Sequence, residues 1–573
     1  MTRKHACLAL GLAFAGPLAP SVAQVADLEE KHHVLSRISF GVSPTVFNNI
    51  VTTQDLDNYI LKQMHMIGNV SQGSVTTALL GHFPAVTNCG AIPVGQVSPG
   101  PWTEPMMQWQ QLVRMITSED QLVEVMTYFW ENHFSTSVKR SGQPGGSGQG
   151  QCMRMRNELI ENEGFRKNCL GTFYELAKHS LYSPAMRFYL NLAYSCDNPC
   201  RGINEDFFRE WLELHLLDTT QFGTGVPNYT NDTDIQAGAA YLAGLWVNRP
   251  NGNDAAYNQV TSFTAPTCTM PPPTTCNVFP ATTLFAGPAQ AHIDDFVVPA
   301  LPNNQWTAAN LDRRADALLR HILKQTQSKT FLCSKLLRYF IADDAPESHP
   351  QLMRDCIAAW GDVGDIKATL KTIFFSPEFR RPFHRWRRIK LPVETAVSQA
   401  RALGGQFQGV SNVGDIGQRL AAIDGFLSAS GATLYQFPSP DGFPFASQRQ
   451  IGMASYWQQG YVAYRVYEDM SPTPPPPGTN LTYKPKPLVA AELNRLGFSW
   501  GTSTAGQVAL ATLQLFFRNR YSTQDLQVAT AFLDEDSATG MLGTPWNPNG
   551  PDADARLRLV VALCLSLPQF CER

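Results

Sequence analysis

The sequence predicts a mainly α fold: a multi-helical globular protein with a loop-rich, disulfide-stapled middle insertion. Three observations predict it. Apolar residues recur at helical spacing along most of the chain. The stretch 248–305 breaks this pattern, being rich in Asn, Pro, Thr and Gly, with Pro271, Pro272 and Pro273 between two cysteines. The whole chain is 43% hydrophobic and 10% aromatic, too apolar for disorder. Its 573 residues exceed the ~250–300 at which single cores usually stop growing.

The elements follow in order. Arg3, Lys4 and His5 precede an apolar run from Ala6 to Ala15, which Gly16 and Pro17 break. Ser21, Val22 and Ala23 place small residues where a signal peptidase reads, so 1–23 is expected to be a signal peptide and the protein periplasmic or secreted. The run is shorter than the ~20 apolar residues a membrane span needs. No other segment is long enough, so the mature chain is expected to carry no transmembrane segment.

Residues 27–66 and 107–134 follow as helical stretches, and the latter runs into the glycine-rich loop Ser141–Gly150. That loop lacks the Gly-Lys-Ser/Thr ending of a phosphate-binding loop. Residues 154–195, 203–217 and 234–247 complete an N-terminal helical region, 24–247. After the insertion 248–305, helices at 309–341, 350–360 and 364–375 open a C-terminal region, 306–573. Those at 390–404, 414–429, 449–467, 487–498, 505–519, 523–535 and 553–567 complete it, and the two regions can form one composite domain.

Composition bounds the partners. A net charge of -3 offers no basic excess to release counterions from phosphates, so no nucleic-acid partner is expected. Twelve cysteines, eleven after Cys7 leaves with the signal, read as a disulfide framework in an exported protein. Cys196 with Cys200, Cys268 with Cys276 and Cys564 with Cys571 would staple short loops, and Cys333 with Cys356 would tie neighbouring helices. No CxxC pair points to a cysteine zinc site.

Four stretches carry a resemblance. They are Arg37-Ile-Ser-Phe-Gly-Val-Ser-Pro44, then Phe129-Trp-Glu-Asn-His-Phe134, then Asn204-Glu-Asp-Phe-Phe-Arg-Glu-Trp-Leu-Glu-Leu-His215. The fourth runs from Ser376-Pro-Glu-Phe379 through Lys390-Leu-Pro-Val-Glu394 and Arg401-Ala-Leu-Gly404 to Pro440-Asp-Gly-Phe-Pro444. In this order they resemble the bacterial helical family catalogued as domain of unknown function 1800. That resemblance implies export and a helical fold and brings no established activity with it. The sequence departs from the family pattern at Asp206, where Asn is usual, and at Asp218, where Gly is usual. Its His-Asp segment is met only by His292-Ile-Asp-Asp295. Gln327-Ser-Lys329 stands where a His-Pro usually precedes the Phe331–Leu336 stretch.

The helix over 204–217 is the best candidate for chemistry. On an α-helix Asp206, Glu210 and Glu213 share one stripe, where three carboxylates repel unless a cation sits among them. Either Arg209 and other arginines satisfy the stripe, or it serves a hard cation or acid–base chemistry. His215 falls on the opposite, apolar side and reads first as a packed core histidine, although it closes the most specific motif. Glu210, Glu213 and His215 are therefore the candidate catalytic residues. His133, Glu210, Glu213 and His292 are the candidate ligands of a divalent metal ion, whose mixed nitrogen and oxygen donors would suit zinc, manganese or iron. Tyr435, Phe437 and Phe445 beside Pro440–Pro444 would line a glycan or peptide groove, or pack in the core. Two functions remain open: a metal-assisted hydrolase acting on an extracellular polymer or envelope component, and a non-catalytic binding protein with an internal salt-bridge hub.

Overall fold

The computed structural model describes residues 24–68, 71–85, 102–140, 148–194, 203–243, 245, 282–286, 290–298, 308–447, 483, 485–534 and 545–573. The expected signal peptide, the helix at 449–467, most of the insertion and the pairs Cys196–Cys200 and Cys268–Cys276 lie outside these residues. The fold is mainly α. Among the described residues the strands form one antiparallel pair, Thr282–Leu284 against Phe296–Val298. No helix there is long and apolar enough to cross a membrane.

Local chemistry sets the helix starts. Thr52, Asn412, Thr504 and Ser522 each close a capping box with Asp55, Asp415, Gln507 and Asp525. The boxes satisfy N–H groups that the first turn leaves open. Pro184, Pro350 and Pro392 each occupy a first helical position, where a missing N–H costs nothing. The expected stretch 107–134 resolves into two helices, Glu104–Thr117 and Gln121–His133. Ser118 turns extended between them, its hydroxyl accepting from the Asp120 N–H at 3.1 Å.

One hydrophobic core runs from Val34 to Phe570 and takes side chains from both sides of the insertion. The helix Glu104–Thr117 packs against Pro392–Ala402 and Val413–Ala429. The helix Leu28–Ile38 reaches the C-terminal region through His33 Nε2 and the Phe379 carbonyl at 2.8 Å. Arg380 clamps the same side, pairing with Glu30 at 3.3 Å and Asp57 at 2.5 Å.

The disulfide framework is corrected at two of its expected pairs. Cys333, Cys356, Cys564 and Cys571 are free thiols. Cys333 and Cys356 do meet, on helices Thr326–Phe340 and Pro350–Trp360, but as hydrogen-bonded thiols. Cys564 points into the core, whereas Cys571 beyond the Leu567 bend faces Lys390 and Thr395, so their seven-residue spacing does not bring the sulfurs together. Cys152 is not among these free thiols.

Candidate acid–base site

The site is built on one helix that changes its winding. Asp206–Glu210 is α-helical, and Trp211–Leu216 continues as a π-helix, closed by a Leu217 N–H to Leu212 carbonyl bond of 2.8 Å. Such widened turns recur at functional sites. The α-helical stripe expected from spacing therefore ends at Glu210. Asp218 stops the helix at φ 72°, in the left-handed region. A glycine enters that region freely and an aspartate tolerates it, which explains the residue usual there in the family. The Asp218 carboxylate accepts from the Thr219 N–H at 2.7 Å, which fixes the turn.

The last carbonyls of this helix are capped by side chains from three other elements. Lys335 Nζ donates to the Leu214 carbonyl at 3.2 Å, and His133 Nε2–H to the His215 carbonyl at 2.9 Å. Asn228 Nδ2 donates to the Leu217 and Asp218 carbonyls, each at 3.0 Å. A helix C-terminus carries partial negative charge, so a lysine there is favoured.

His133 closes the helix Gln121–His133 and is buried against Trp130, Phe134 and Phe173. Burial, with Lys335 and His215 nearby, holds its pKa well below the ordinary histidine range. The ring is neutral: Nε2–H donates to the carbonyl, and Nδ1 accepts from Lys335 Nζ at 2.9 Å. This tautomer follows from the network. His215 is fully buried, its ring 5.7 Å from that of His133, and burial pushes its pKa down to about 3. Among the described residues neither of its ring nitrogens has a hydrogen-bond partner.

Lys335 was not singled out from the sequence, though it lies in the stretch Phe331–Leu336. Burial brings its pKa down to about 8, opposed by the carboxylates of Asp218 and Asp441. Asp441 belongs to the Pro440–Pro444 turn, which is locked onto the end of the His133 helix. Asn132 Nδ2 donates to the Phe443 carbonyl at 2.9 Å and Asn132 Oδ1 accepts from the Phe443 N–H at 2.7 Å. Gly442, at φ 70°, is required there, since a Cβ would stand 2.3 Å from the Asn132 carbonyl oxygen. Of the expected groove aromatics, Tyr435 and Phe437 are buried and Phe445 stacks on Phe129 at 5.3 Å, so they pack in the core.

Glu210 and Glu213, both partly buried, lie on the helix ahead of this capped end. Burial, then the charges of Glu213 and Asp206, raise the Glu210 pKa. Glu213 accepts a hydrogen bond from the Tyr229 hydroxyl. Tyr189 feels Glu210 and Asp441, and burial pushes its hydroxyl up to about 12. Arg209 opposes the rise at Glu210 through its charge, while its guanidinium bonds Glu205 at 3.2 Å and Asn231 at 2.6 Å. Arg187 turns to the Leu181 carbonyl at 2.9 Å.

The expected metal set is not assembled. Both nitrogens of His133 are engaged, and His292 Nε2 bonds Asn228 Oδ1 at 2.8 Å. Among the described residues no group of three or more His, Cys, Asp or Glu is placed to hold a metal ion. His292 does reach the site, but through Asn228, as a support for the helix end. Asn228 and Tyr229 carried no signal in the sequence, because neither belongs to a recognisable spacing.

The class these features define is a mainly α-helical protein with a carboxylate-rich site at the end of a π-wound helix. The chain belongs to the family described as protein of unknown function (DUF1800), whose model matches residues 33–571. No curated protein and no solved structure matches it.

Proposed function

We propose that this chain is an exported acid–base enzyme, a hydrolase acting on an extracellular polymer or envelope component. The observation that carries the reading is the Glu210–Glu213 pair, partly buried and mutually repelling, while Arg209, which eases the charge on Glu210, is itself bonded to Glu205 and Asn231. Two carboxylates in different surroundings divide the work of hydrolysis. Glu210, whose proton is held by burial and by Glu213, delivers it to the leaving oxygen. Glu213, oriented by Tyr229, accepts a proton from the attacking water. Lys335, fixed by His133 and the Leu214 carbonyl, places positive charge at the C-terminal end of the same helix. His133 and His215 are positioning residues in this scheme.

A salt-bridge hub would instead need arginines against the stripe; Arg209 is hydrogen-bonded to Glu205 and Asn231, and Arg201 lies outside the described residues. The two readings predict opposite signs for Glu210→Gln. A carboxylate whose folded pKa is raised destabilises the fold at neutral pH, so removing its charge raises Tm; breaking a hub lowers it. Thermal unfolding of Glu210→Gln at pH 7 is measured beside turnover of chromogenic glycosides, esters and peptides. A raised Tm with activity reduced by roughly 100-fold or more supports the enzyme. A lowered Tm and no turnover by the parent protein sink it.

A further inference from the structure

A second group of motif residues stands apart from the acid–base site. Gly41, Val42 and Pro44 of the first motif and Lys390 of the fourth line one cavity of about 30 Å³. That is room for a compact ion or two water-sized groups. His32, Trp386, Arg518 and Phe570 close it, bringing the first helix, the 382–390 segment and the C-terminal helices together.

Three independent features mark this cavity. Its lining is positively charged: Lys390 and Arg518 line it, Arg518 Nη1 holding Glu492 at 3.2 Å outside the lining, and the one lining carboxylate, Glu572, is ion-paired with Arg520. It carries open polar groups. Among the described residues Arg518, only 2% exposed, has no hydrogen-bond partner at Nε, and buried His32 has none at Nδ1. Lys390 Nζ uses two of its three protons, on the Phe570 carbonyl at 2.6 Å and Ser398 Oγ at 3.1 Å. Its backbone is also strained, since Trp386 at φ 67° and Arg518 at φ 58° are bulky residues in the left-handed region. Such residues gather at ligand clamps.

We propose that this cavity binds a small oxyanion, a phosphate or carboxylate group, held by Lys390, Arg518 and His32. Guanidinium and ammonium groups directed at one oxyanion form charge-assisted hydrogen bonds. His32 is held neutral by burial and by the charges of Arg518, Lys390 and Arg520. An anion offsets those charges, so His32 takes up a proton on binding and Nδ1 becomes a donor. The proposal does not rest on the acid–base reading.

The test is calorimetric titration of the full mature chain with inorganic phosphate and, separately, acetate. It is run at fixed ionic strength in two buffers of different ionisation enthalpy. Saturable binding with proton uptake is expected, weakened roughly tenfold or more in Lys390→Gln, which loses a charge-assisted bond. Glu572→Gln, which removes the competing carboxylate, tightens binding. Because Lys390 also holds the Phe570 carbonyl, the Glu572 variant keeps the test independent of how the Lys390 variant folds. Binding of phosphate alone assigns a phosphate group, and of acetate alone a carboxylate. No saturable heat with either anion, or affinities unchanged in both variants, overturns the proposal.

Discussion

Lys335 couples the candidate site to the stability of the fold. Its folded pKa of about 8 lies below the ordinary 10.5, so the unfolded chain binds more protons between these values. Stability contributed at this position therefore rises as pH climbs from 8 towards 10.5 and is lowest below 8. Lys335→Met removes the charge, so the difference in unfolding free energy between parent and variant should shift in favour of the parent across that window. A pH-independent difference would contradict the assignment. At Asp218, φ 72° makes the side chain matter twice. Asp218→Ala keeps the backbone strain and loses the Thr219 bonds, an expected cost of about 1–2 kcal/mol, whereas Asp218→Gly relieves the strain and stays near neutral. Chemical denaturation resolves the two. Glu210 and Glu213 were legible as site candidates because carboxylates at helical spacing are costly without a role. Lys335 was not, because a single lysine in an amphipathic helix reads as a solvated one.

At the scale of elements, the site depends on the end of one helix and the turn docked beside it. The Pro440–Pro444 stretch has the residues of a turn, and the structure docks it: Asn132 grips it at both Phe443 backbone groups. Gly442→Ala puts a Cβ against the Asn132 carbonyl in a left-handed conformation, with an expected cost of about 1–3 kcal/mol in thermal unfolding. Unchanged stability would mean that the turn does not dock. The π-helix at Trp211–Leu216 was not legible, because a widened turn is selected by what packs around it. The α-helical angles that set His215 opposite Glu210 and Glu213 apply only as far as Glu210. His215 is nevertheless buried, as its place beside Phe208 and Trp211 implied.

Across the whole molecule, residues before and after the insertion share one core. The C-terminal Arg573 pairs with Glu394 at 2.7 Å, both side chains almost wholly buried. Breaking such a pair leaves an uncompensated buried charge, so Glu394→Gln should cost about 3–5 kcal/mol. A shared core also makes the expected calorimetric unfolding a single transition. Two well-separated transitions would show that 24–247 and 306–573 unfold independently.

The sequence by itself determined the helical class, most helix spans and the family resemblance with its four motifs, because periodicity, caps and prolines act over a few residues. Only the tertiary structure decided which motifs meet. It sets His133, Lys335, Asn228 and Asp441 around the end of the Glu210–Glu213 helix, and leaves His292 one residue removed. It keeps Cys333 and Cys356 as neighbouring thiols and carries Gly41 to Lys390 across more than half the chain. Such meetings depend on how helices far apart in sequence share one core, and no local spacing encodes that.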